Sequence, residues 1–145
     1  MQRDDATDWF GRDLNIRRLR SDADDQTAFA VVCHFGGALR DYTWRQTMDE
    51  VRRMAAHLQG RGLPHGARVA ILSKNCAHFF MAELAIWMAG FVSVPIYPTF
   101  NAEALRYILD HSEAKLCFVG KMDDTANLAD GVPDNVTLVA MPLSP

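Results

Sequence analysis

Three short runs, Ser73-Lys74-Asn75, Tyr97-Pro98-Thr99 and Gly120-Lys121, each place polar or cationic side chains directly behind an apolar stretch. Each apolar stretch reads as a buried parallel strand, and open parallel sheets take ligands at the carboxyl ends of their strands. Lys74, just ahead of a predicted helix, stands where a helix N-terminus would draw an anion. The plainer reading makes Ser73 and Asn75 helix caps and Lys74 a solvated loop lysine. Tyr97 and Thr99 are placed to line a groove, although a strand end bounded by proline needs no ligand to explain it.

Other chemistry finds no support in the spacing. Gly60, Gly62 and Gly66 imitate a nucleotide fingerprint, but they follow a helix and precede a strand, the reverse of what phosphate binding requires. No GxxxxGK[ST] loop occurs, and the chain holds only three lysines. Cys33 and His34 are neighbours on a predicted strand and point to opposite faces. Cys33, Cys76 and Cys117 lie more than forty residues apart in apolar settings, which suits packed free thiols in a reducing compartment and not a disulfide framework. The five histidines show no metal-ligand spacing, and His57 and His111 fall near helix ends, where a cation is favoured. No catalytic, cofactor-binding or metal residue is assigned from the residues themselves.

The elements that must position these runs are legible in the periodicity. Residues 1–27 are an N-terminal arm, in which Trp9, Phe10, Leu14, Ile16 and Leu19 suit a short amphipathic helix or a draped segment. Ala28–Phe35 and Arg40–Thr43 read as a hairpin about Gly36-Gly37. Thr43-Trp44-Arg45-Gln46 is a capping box opening a helix with an apolar stripe of Met48, Val51, Met54, Ala55 and Leu58. Asp49 faces Arg52 and Arg53, and Gly60 or Gly62 ends the helix ahead of Pro64. Strands follow at Arg68–Leu72, Val92–Tyr97, Lys115–Val119 and Val136–Ala140. Helices are predicted at Ala77–Ala89, apolar nearly all round and therefore deep, at residues 102–111 behind an Asn101 cap, and within 121–130. Trp87, Met88 and Phe91 read as core packing. Alternating strands and helices imply an α/β fold with a parallel sheet flanked by helices.

Composition narrows the function. A net charge of -3 excludes a strongly basic nucleic-acid binder. Arg17, Arg18 and Arg20 are the one basic cluster, and Asp22, Asp24 and Asp25 follow at once. The polar start Met1-Gln2-Arg3-Asp4-Asp5 is no secretory signal, and a cytoplasmic location is expected. Phe79–Phe100 carries Glu83 as its sole carboxylate and invites a membrane reading, but Gly90 divides it and Pro95 and Pro98 break it. A buried helix followed by a buried strand fits better.

In order, the Tyr42-Thr43-Trp44 helix entry, the passage from Gly66 to Asn75 and the passage Ala89-Gly90 to Val94-Pro95-Ile96-Tyr97-Pro98-Thr99 resemble the opening of the AMP-forming acyl-CoA synthetases. The likeness covers roughly residues 28–120 and points to the long- and medium-chain fatty-acid branch of the adenylate-forming enzymes. It implies that residues 28–145 are part of an AMP-binding N-terminal subdomain, ending before the phosphate loop. It also implies a parent ligase that uses ATP, Mg and coenzyme A to activate a fatty or other carboxylic acid as acyl-AMP and then acyl-CoA, with peripheral membrane association open for that parent. The family's signature loop, aspartate and arginine motifs and catalytic lysine have no counterpart in residues 1–145, so none is carried over. The resemblance therefore implies an inactive scaffold that binds no cofactor alone. Its partner would be the remainder of the ligase, with self-association through uncovered apolar surface. The competing reading is a stand-alone flavodoxin-like binding module.

Overall fold

The computed structural model describes residues 15–16, 31–35, 38–142 and 144. The expected turn at Gly36-Gly37 and nearly all of the N-terminal arm lie outside the described residues.

Strands β1 (Asn15–Ile16), β2 (Val31–Phe35) and β3 (Ala38–Tyr42) form an antiparallel sheet in that order. The hairpin is as expected, with Phe35 opposite Ala38 and Val31 opposite Tyr42. Its second strand begins earlier than predicted and stops at Tyr42, because Thr43 is committed to the helix that follows. Helix α1 (Trp44–Gln59) opens with the predicted capping box: Gln46 N–H donates to Thr43 Oγ1 at 3.2 Å, and Thr43 N–H to Gln46 Oε1 at 2.9 Å. Thr47, Val51, Ala55 and Leu58 are its buried stripe, recurring at helical spacing, and Gly60 closes it. Arg52 pairs with Asp49 at 3.1 Å, while Arg53 takes Glu50 as its partner.

Strands β4 (Arg68–Leu72), β5 (Val92–Ile96), β6 (Leu116–Val119) and β7 (Thr137–Ala140) form a wholly parallel sheet in the order β5-β4-β6-β7. Helices α2 (Ala77–Met88), α3 (Ala102–Ser112) and the short α4 (Leu128–Gly131) connect them. Alternation along the strands divides the core. Val69, Ile71, Leu116 and Phe118 pack with Leu58, Ala82 and Ile86 of α1 and α2, whereas Ala70, Leu72, Cys117 and Val119 pack with Leu105 and Leu109 of α3. Asn101 caps α3 as predicted, its Oδ1 accepting from Ala104 N–H at 2.9 Å.

Three expectations are corrected. The N-cap of α2 is Cys76, not Ser73 or Asn75, and it makes no side-chain cap bond. The buried Ser73 hydroxyl instead donates to the Lys74 carbonyl at 2.7 Å. Helix α2 is not deep all round either: Trp87 is 56% and Met88 45% exposed, while Phe91 does join the core. The cause is topological, since α2 packs on α1, β4 and β5, and β5 is the sheet's edge. Finally, helix within 121–130 is confined to α4, because Asp124 Oδ1 accepts from Ala126 N–H at 3.0 Å and holds a turn that competes with helix.

The long apolar run thus becomes helix, turn and strand. Among the described residues, no helix is long and apolar enough to cross a membrane.

Candidate functional site

The order β5-β4-β6-β7 reverses direction between β4 and β6, since the chain steps from β4 outward to β5 and then back across β4 to β6. In open α/β sheets the crevice at such a switch point, outside the carboxyl ends of the strands, is where ligands bind. Here it lies between Ser73-Lys74 at the end of β4 and Gly120-Lys121 at the end of β6.

That crevice is closed by the chain itself. Gly120 N–H donates to the Leu72 carbonyl at 3.0 Å, and Lys74 N–H donates to the Lys121 carbonyl at 2.7 Å, so main-chain bonds bridge the two strands past their ends. Gly120 packs on Ser73 so closely that a Cβ there would stand 2.5 Å from Ser73 Oγ. The Lys74 ammonium, the obvious cation of the region, lies 2.5 Å from Asp123 Oδ1. An anion arriving at Lys74 would have to displace a carboxylate. The loop after β6 that carries Asp123 showed no sign of this in the sequence, because the two residues are far apart in the chain and meet only when β4 and β6 are neighbours.

The open part of the carboxyl edge lies on the other side of β4. A cavity of about 320 Å³ is lined by Ser73, Asn75, Phe79, Pro95, Ile96 and Tyr97. The structure therefore brings together Ser73, Asn75 and Tyr97, and leaves the partly exposed Lys74, paired with Asp123, and Lys121 outside the cavity. Thr99 is exposed beyond the strand, and Tyr97 meets Phe100 edge to face at 5.8 Å. Phe79 and Ile96, read from the sequence only as apolar core, are lining residues here. With aromatic and aliphatic walls and neutral polar groups, the cavity suits an uncharged or apolar moiety far better than a polyphosphate.

The remaining reactive groups are structural. Cys117 is buried in β6, and burial pushes its thiol up to about 12, only partly offset by a backbone hydrogen bond from Leu72. It stays a neutral thiol and no nucleophile. Cys76 is buried as well. Glu83 accepts a hydrogen bond from the Ser93 hydroxyl at 3.3 Å. His78, buried in the first turn of α2, meets Tyr42 edge to face at 5.8 Å and joins the hairpin to the helix pair. Among the described residues no group of three or more His, Cys, Asp or Glu is placed to hold a metal ion. Adenylation requires fixed cations and oriented amides around a triphosphate. With Lys74 engaged and the crevice closed, the described residues do not fit ATP with its metal, and no chemical step is assigned to them.

Comparison with known proteins places this geometry. Residues 19–143 match the model of the AMP-binding enzyme family. The chain is 35% identical over 80 residues to acetate/butyrate–CoA ligase AAE7, peroxisomal, of Arabidopsis thaliana, covering 55% of this chain and 14% of that protein. It is 31% identical over 104 residues to the uncharacterized protein Rv1549 of Mycobacterium tuberculosis, covering 72% of this chain and 59% of that one. The crystal structure of IdnL1 superposes with a TM-score of 0.67 at 25% identity, over 76% of this chain and 22% of IdnL1. The matched relatives include both CoA ligases and a peptide-synthetase subunit, so the likeness extends beyond the fatty-acid branch. The parallel sheet, its flanking helices and the family match together establish that the chain belongs to the AMP-binding enzyme family and corresponds to the N-terminal subdomain of the adenylate-forming fold.

Proposed function

We propose that this chain is the N-terminal scaffold of an acyl-CoA synthetase. The parent enzyme would activate a carboxylic acid, in this reading a fatty acid, as acyl-AMP and pass the acyl group to coenzyme A. Residues 1–27 would serve as an arm, and residues 28–145 as a partial subdomain that does not adenylate alone. The observation that carries the reading is the closed switch point: Lys74 is held by Asp123, and Gly120 fills the crevice against Ser73. Catalytic groups for the triphosphate would then come from the length of chain that the ligase relatives carry and this one does not span. The fatty-acid branch rests on the Gly66–Asn75 and Val94–Thr99 passages, and ATP, Mg and coenzyme A belong to the parent in this reading.

The test is acid-dependent exchange of labelled pyrophosphate into ATP. The purified 145-residue chain is expected to give none with any fatty or amino acid, and clear exchange would refute the scaffold reading. The native polypeptide, captured from its source cells with an antibody against residues 40–120, tests the parent. Release of AMP that depends on both fatty acid and coenzyme A is expected. Activation of amino acids without transfer to coenzyme A would instead put the parent among peptide synthetases.

The order β5-β4-β6-β7 is also that of flavodoxin-like modules, which bind their cofactor at this same switch point. The closed crevice weighs against that alternative.

A further inference from the structure

We draw no further inference here: the strongest candidate, the cavity of about 320 Å³ at the carboxyl ends of β4 and β5 walled by Phe79, Ile96 and Tyr97, belongs to the candidate site already described, and nothing in the structure shows what covers its open side.

Discussion

Gly120 lies against Ser73 at the join of β6 and β4, where a methyl group would stand 2.5 Å from the Ser73 hydroxyl oxygen and 2.8 Å from its Cβ. Met141 Cε closes the same space at 2.6 Å. Ser73 is buried and short, so it has no room to swing aside. Gly120→Ala should therefore destabilise the chain by about 1–3 kcal/mol, the usual range for overpacking. Urea unfolding should show a lower midpoint with an unchanged slope.

Gly90 presents a different constraint. Its φ of +83° is one that other residues rarely adopt, and its N–H and carbonyl tie the turn between α2 and β5 to Trp87 and Gly66. A Cβ would approach the His65 ring at 2.9 Å, but that ring is the far end of a movable side chain. Gly90→Ala is expected to lose about 1–2 kcal/mol through the backbone alone. Adding His65→Ala should restore only a small part, and a double-mutant cycle with thermal unfolding measures the share.

The buried Cys117 thiol makes stability depend on alkaline pH. Its folded value of about 12 lies above the ordinary 9.0, so the unfolded chain releases this proton first as pH rises. The contribution is fully present below about 9 and is lost progressively between the two values. Within that window this one group should lower stability by up to about 1.4 kcal/mol per pH unit. Cys117→Ala should flatten the decline relative to wild type. Equal slopes from urea titrations of both proteins would contradict the assignment.

The capping box at α1 sets a local test. Thr43→Ala removes the acceptor for Gln46 N–H and should cost about 1 kcal/mol. Thr43→Ser keeps the acceptor and should stay within a few tenths, about 0.5 kcal/mol at most. Thermal unfolding of the two variants side by side distinguishes the cap from loss of the threonine methyl.

Much of this was legible in the sequence where the determining interaction is local. Thr43 with Gln46 and Asn101 with Ala104 N–H are contacts three residues apart, so residue type and spacing suffice. Arg68–Leu72 is legible to the residue because a short β-branched and apolar run bounded by turn signals has few other uses. Ser73 and Asn75 misled for the same reason: they have the composition of caps, but the Ser73 hydroxyl is drawn to the Lys74 carbonyl in a buried corner. Trp87 and Met88 read as core in the sequence and are exposed in the fold, because hydropathy records what a side chain prefers and not what stands beside it.

The sequence by itself determined the order and approximate bounds of most described elements, the α/β alternation and membership of the adenylate-forming family, though not its branch, since periodicity, caps and motif order are properties of neighbouring residues. Only the tertiary structure decided that β4 is central, that Lys74 meets Asp123, that Gly120 seals the switch point, and that β5 and β7 are the two edges. These depend on which strands become neighbours across gaps of tens of residues, a choice made by burying both faces of the sheet at once.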